Sequence, residues 1–179
     1  MKDILSKYIR EGVESANMPN SPLHGEMHSR CVAHTAVSIA KEHGGDQLVA
    51  LLFGLYHDSA RLDEGPDEDH GPKAARILRN QAMNGYFKLL DLSAEQYANL
   101  HHAIANHTDE DSAPNPTVGA CYAGDRLHLY RVGITPDVDY CNTIHNQFSR
   151  WVARTNGMDD DPPTWEQIIQ LVEVKRFHF

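Results

Sequence analysis

Residues 47–65 read QLVALLFGLYHDSARLDEG, an apolar run that closes on an adjacent histidine and aspartate. Leu48, Leu51, Leu52 and Leu55 recur at helical spacing, so the segment reads as a core helix, with Asp46 as its N-cap and Gly65-Pro66 as its stop. His57 and Asp58 then stand at the inner end of that helix. Burying either of them bare is costly, so each must be hydrogen-bonded, ion-paired or bound to metal.

Outward from this segment, helical signals are frequent and strand signals nearly absent. The pattern predicts a first helix over 3–15, striped by Ile4, Tyr8, Ile9 and Val13, and a second over 26–43 that stops at Gly44-Gly45. Shorter helices follow over 69–83 and 86–91. Ser93 opens another, in capping-box register with Gln96. Residues 117–130 and 137–154 read as helical, and TWEQIIQLVEVKRF (164–177) as a last amphipathic helix. The intervening loops are acidic and proline-containing, TDEDSAPNPT (108–117) and NGMDDDPP (156–163). Neither a repeat nor an interdomain linker interrupts the pattern. The expected architecture is one all-α domain over 1–179, a helical bundle.

Composition narrows the function. At 179 residues with 41% hydrophobic content, the chain can bury a core without disulfides or other staples. The start, MKDILSKYIREGVES, carries charges at every turn and reads as neither signal peptide nor anchor, and no run approaches membrane-spanning length. Cys31, Cys121 and Cys141 form no CxxC, which points to reduced thiols and a cytoplasmic location. The net charge of −9 argues against binding duplex nucleic acid, which depends on Lys and Arg, but leaves room for a small phosphorylated substrate held at a metal. Twelve histidines beside five phenylalanines invite a metal hypothesis.

Metal-ligand chemistry concentrates in five places: HGEMH (24–28), YHDSARL (56–62), EDHGPKAARIL (68–78), AIANHTDED (103–111) and CYAGDRLHLYRVGI (121–134). Imidazole and carboxylate together suit Zn²⁺, Fe, Mn²⁺, Ni²⁺ or Co²⁺. Each piece alone has a plainer reading: an ion pair or cap for His57-Asp58, solvent exposure for His70, a helix-dipole contact for His107, an ion pair for Asp125-Arg126. His101 and His102 compete with His107, which is preferred because it ends the apolar Ala103-Ile104 helix where the loop begins.

The order of the five resembles the HD-domain metal-dependent phosphohydrolase superfamily, over roughly residues 20–135. Beyond the His-Asp pair, the resemblance is carried by His-Gly-x-x-His, an Asp-His-Gly turn opening a helix, Ala-Ile-x-x-His, and Asp-Arg-Leu-x-Leu-x-Arg-Val-Gly-Ile. The chain looks like the small stand-alone bacterial hydrolase branch of that superfamily, with residues 136–179 expected to pack on the motif-bearing core. The resemblance implies that His28, His57, Asp58 and Asp125 hold a first divalent transition metal. It implies that His70 and His107 hold a second, with Asp58 bridging. His128 and the Ala123-Gly124 pair depart from the pattern around Asp125, where acidic or bulkier residues are expected.

The implied activity is hydrolysis of a small phosphate ester or nucleotide by metal-activated water, with Asp58 holding the ions and His70 moving a proton if it is not a ligand. Arg61, one turn after His57, and Lys73, one turn after His70, are candidates to meet phosphoryl oxygens. His24 is a candidate substrate contact, and Arg126 a candidate partner for a carboxylate near the metal. The same ligand types in HD-fold proteins similar to myo-inositol oxygenase serve a di-iron oxygenase, the rival enzyme. A metal-binding sensor without catalysis is the rival outside enzymes.

Overall fold

The computed structural model describes residues 1–173, so the expected helix over 164–177 falls partly outside the described residues. Eight α-helices account for most of them: α1 Lys2–Ser15, α2 Glu26–His43, α3 Gln47–Tyr56, α4 His70–Met83, α5 Ala94–Asn106, α6 Pro116–Arg126, α7 Phe148–Thr155 and α8 Trp165–Leu171. No strand is present among the described residues, and the fold is all-α, as the spacing predicts. No helix described is long and apolar enough to cross a membrane.

Every residue of α3 from Leu48 to Tyr56 is buried, which places it in the interior of the bundle, as expected of a helix apolar on all sides. Asp46 caps it, accepting from Val49 N at 3.0 Å, and takes a second hydrogen bond from Gln96 Nε2 at 2.8 Å. Gln96 also completes the capping box of α5 with Ser93, so one side chain ties the starts of α3 and α5 together. Gly44 ends α2 at φ 77°, a conformation that favours glycine. Asn115 caps α6, with Pro116 in the first turn.

Helix α2 packs most extensively, with α3 on one side and α6 on the other. Small residues make the close approach: a Cβ on Gly54 would lie 2.5 Å from the Ala33 Cα, and one on Gly124 2.7 Å from the Ala36 Cβ. Helices α4 and α5 pack on each other and α5 on α3, while α8 lies on α1 and α2. The consequence is positional. The first turns of α2 and α4 and the last turns of α3, α5 and α6 meet at one end of the bundle.

Four stretches differ from the expected helices. The helix over 47–65 ends at Tyr56, short of its expected stop at Gly65-Pro66, and the chain turns at His57–Ala60. Residues 86–91 form a 3-10 turn, Tyr86–Leu90, closed by Asp91 at φ 49°. The helix expected over 117–130 stops at Arg126, and the chain tightens into a 3-10 turn over Leu129–Val132 that Gly133 ends at φ 78°. The helix expected over 137–154 is interrupted: two 3-10 turns, Val138–Tyr140 and Asn142–Gln147, precede α7. The cause lies partly outside the segment. Arg126 Nη1 donates to the Tyr140 carbonyl at 2.6 Å, holding the chain here against α6, and Cys141 leaves helical geometry at φ −122°, ψ 49°.

Gly54→Ala should therefore destabilise the chain by about 1–3 kcal/mol, because the methyl meets the α2 backbone rather than a side chain able to turn away. Denaturant unfolding of the variant beside the wild type measures this. An unchanged midpoint would mean that the α2–α3 contact is looser than described.

Candidate metal centre

The five helix ends that meet carry the ligand candidates. His28 lies in the first turn of α2, His57 caps the C-terminus of α3, and Asp58 follows in the next turn. His70 begins α4, His107 caps the C-terminus of α5, and Asp125 stands in the last turn of α6. All six are buried. They form two adjoining groups, His28, His57 and Asp125 in one and Asp58, His70 and His107 in the other, with ligand atoms within 4.8 Å of one another in each. The Asp58 carboxylate faces both: Oδ2 is 3.5 Å from His57 Nε2 and 3.7 Å from His28 Nε2, and Oδ1 is 3.2 Å from His70 Nε2.

The tautomers follow from the backbone. His57 Nδ1 lies 3.2 Å from the Gly54 carbonyl and His107 Nδ1 2.9 Å from the Ile104 carbonyl. His70 Nδ1 bonds the Asp67 carbonyl in the same way. A carbonyl only accepts, so each Nδ1 carries a proton and each ring turns its Nε2 inward. The Nε2 atoms crowd together. His57 and His28 Nε2 are 3.3 Å apart, and His70 and His107 Nε2 are 2.8 Å apart. Asp125 Oδ1, 3.2 Å from His28 Nε2, is buried without a hydrogen bond among the described residues. Lone pairs and carboxylates crowded together out of water need a cation, and the donor set fits divalent transition metals.

The electrostatics agree with that reading. Burial, with Arg131 nearby, lowers the His28 imidazole to about 3, and burial with the field of His57 lowers His107 to about 4, so both are neutral donors at neutral pH. Burial pulls the Asp58 and Asp125 carboxyls upward. The imidazoles around them outweigh it, chiefly His57 and His24 for Asp58 and His28 and His57 for Asp125, and hold both well below the ordinary carboxylate range. His70 moves the other way, because its bonds to Asp58 and the Asp67 carbonyl outweigh burial.

Around the six, His24 is buried, its Nδ1 3.0 Å from Asp58 Oδ2 and its Nε2 3.8 Å from Glu64 Oε2. Arg61 Nε donates to Asp58 Oδ1 at 3.1 Å and Nη1 to the Gly65 carbonyl at 3.2 Å. Lys73 is held by Asp67 at 3.0 Å rather than by the cluster. Of the competing histidines, His102 pairs with Glu110 at 2.7 Å and His101 stacks near Tyr97, so neither replaces His107. Arg126 does not hold a carboxylate. Its guanidinium donates to the carbonyls of His107, Glu110, Asp111 and Tyr140 and lies over the Tyr122 ring, fixing the loop after His107.

One functional candidate escaped the sequence reading. Arg131 places Nη2 3.8 Å from Asp58 Oδ2 and Nη1 3.9 Å from Asp125 Oδ1. Its Nε, donating to the Leu23 carbonyl at 2.6 Å, anchors it. The signal was present in Asp-Arg-Leu-x-Leu-x-Arg, but the expected continuous helix over 117–130 gave no reason to turn this side chain back toward Asp125.

A family model described as the HD domain matches residues 26–162, and the chain belongs to that family, a superfamily of all-α, metal-dependent hydrolases. No curated protein and no solved structure gives a significant match.

Metal-free protein should lose stability as pH falls from about 6.5 toward 4. His28 and His107 resist protonation when folded, so the unfolded chain binds protons first, at up to about 1.4 kcal/mol per pH unit for each group. His70, raised when folded, contributes stability below 6.5 and offsets part of the loss. Thermal melts of the chelator-treated protein across this range measure the net slope. The slope should flatten in His107→Gln.

Proposed function

We propose that this chain is a metal-dependent phosphohydrolase acting on a small phosphate ester or nucleotide, with one or two divalent ions held by His28, His57, Asp58, Asp125, His70 and His107. The observation that carries the reading is the set of three imidazoles pinned at Nδ1 by backbone carbonyls, their Nε2 atoms converging on two buried carboxylates. Divalent ions held there would acidify water and polarise a phosphoryl oxygen.

The chain's own residues supply the rest. Both nitrogens of His70 are committed, one to the Asp67 carbonyl and one to the cluster, so proton movement falls to another histidine. His24 is placed for it: Nδ1 meets Asp58 Oδ2, and Nε2 faces the partly exposed Glu64, which leads toward solvent. The Arg61 Nη2 makes no hydrogen bond among the described residues and is free to meet a phosphoryl oxygen. Arg131 brings a second guanidinium to the same carboxylates. Lys73, neutralised by Asp67, stands apart from this pair.

Metal analysis of the purified protein followed by a phosphate-ester panel with Mn²⁺, Ni²⁺ and Co²⁺ tests the reading. Asp58→Ala should lower bound metal and activity by more than the roughly 10–100-fold typical of losing an outer hydrogen-bond partner. His24→Gln should keep its metal while kcat falls about 10²–10⁴-fold. Dioxygen consumption by an iron-loaded protein inert toward every ester would overturn the hydrolase assignment.

A further inference from the structure

Away from the six-residue cluster, a third group of metal-ligand side chains converges. Cys31, His128 and Asp159 each place one donor atom within 4.8 Å of the others. They come from three elements: Cys31 from α2, one turn after His28, His128 from the turn following α6, and Asp159 from the loop between α7 and α8. Cys31 is wholly buried and His128 is 1% exposed, while the Asp159 side chain, 35% exposed, opens one side to water.

The orientation of His128 is informative. Its Nε2 lies 2.9 Å from Thr35 Oγ1, and the Thr35 hydroxyl directs its own hydrogen to Met158 Sδ at 3.8 Å. In the tautomer with the proton on Nε2 that hydroxyl accepts from the imidazole, and the neutral ring turns its Nδ1 lone pair toward Asp159. Metal-binding histidines characteristically have the second nitrogen fixed in this way. Nδ1 and Asp159 Oδ1 stand 3.8 Å apart, too far for a hydrogen bond. Two ligands of one tetrahedral zinc sit about 3.4–3.6 Å apart, given Zn–N and Zn–O near 2.1 Å and Zn–S near 2.3 Å.

Two other readings account for less. A nucleophilic cysteine needs access and a ready thiolate, whereas Cys31 is inaccessible and its thiol is pushed up to about 12 by burial and the Asp159 charge. A simple imidazolium–carboxylate pair would close to about 2.7–2.9 Å and leaves Cys31 only its 3.8 Å contact with the Met158 carbonyl. A metal ion uses all three, because a coordinated thiol loses its proton outright to solvent.

We infer that Cys31, His128 and Asp159 bind one Zn²⁺ ion at a site separate from the hydrolytic cluster, with water as the fourth ligand on the Asp159 side. Thiolate, imidazole and carboxylate together suit zinc. The ion fastens the 156–164 loop to α2, the helix that presents His28, and to the turn that follows α6 three residues beyond Asp125. Trp165 Nε1, in the first turn of α8 directly after that loop, donates to Glu26 Oε1 at 3.0 Å and joins it to the start of α2.

The test is a Co²⁺ titration of the full-length, metal-stripped protein. The hydrolytic cluster offers only nitrogen and oxygen, and Cys121 and Cys141 belong to no candidate group among the described residues, so a thiolate-to-cobalt charge-transfer band reports this site alone. With up to two further equivalents taken up by the hydrolytic cluster, the band should correspond to one thiolate-bound ion per chain, survive in His57→Ala and vanish in Cys31→Ser. Asp159→Asn, on a partly exposed loop where folding is not at stake, should keep its circular dichroism and bind Co²⁺ at least ten-fold more weakly by this band. Absence of the band in the wild type, its persistence in Cys31→Ser, or unchanged affinity in Asp159→Asn would each overturn the site. Loss of ester hydrolysis with the band intact would count against the hydrolase reading and leave this one standing.

Discussion

Mutual repulsion among buried donors is the condition to which the rest of the molecule answers. His57 and His28 Nε2 at 3.3 Å, His70 and His107 Nε2 at 2.8 Å, and two carboxylates between them are unfavourable neighbours out of water. They stay together because each is fastened from behind. Three imidazoles are fixed by backbone carbonyls, Asp58 by His24 and Arg61, and the region around Asp125 by Arg131. Such second contacts set the tautomer and aim of a metal ligand as firmly as the ligand's own position does.

The helices translate that requirement into packing. Ligands supplied from both ends of helices can share a centre only if the helices pack closely, and close packing needs small residues where backbones meet. Gly54 against Ala33 and Gly124 against Ala36 bring α3 and α6 onto α2. The residue that lets α3 touch α2 is also the one whose carbonyl orients His57. A change there acts on the core and on the site together.

Much of this was legible in the sequence because it is local. The limits of α2, the Asp46 cap of α3 and the Ser93–Gln96 capping box depend on residues a few positions apart, and the structure has them as the pattern predicts. The His-Asp pair at the end of an apolar run marked where the centre forms. What escaped depends on distant partners. Arg126 was read as serving a carboxylate because Asp125 is its neighbour, yet its donors go to four carbonyls in other segments, one of them inside the stretch expected as a helix over 137–154. Arg131 turns back to Asp125 only because the chain tightens after α6. His128 looked like a departure from the family pattern. It faces Cys31 and Asp159, nearly a hundred positions before it and some thirty after, which no local pattern reveals.

His57 and His107 occupy the C-terminal cap positions of α3 and α5, and each bonds a carbonyl in the last turn of its own helix. The last carbonyls of a helix lack partners within it, so these rings close the helix with one nitrogen and present the other to the centre. Fraying of the helix end and dissociation of the ligand are then a single event. An ion that grips Nε2 clamps the final turn of two buried helices, and heat that loosens those turns opens the coordination shell from the protein side. Under the proposed metal binding, exchange of the ion would be tied to the opening of helix ends rather than to the swing of a free side chain.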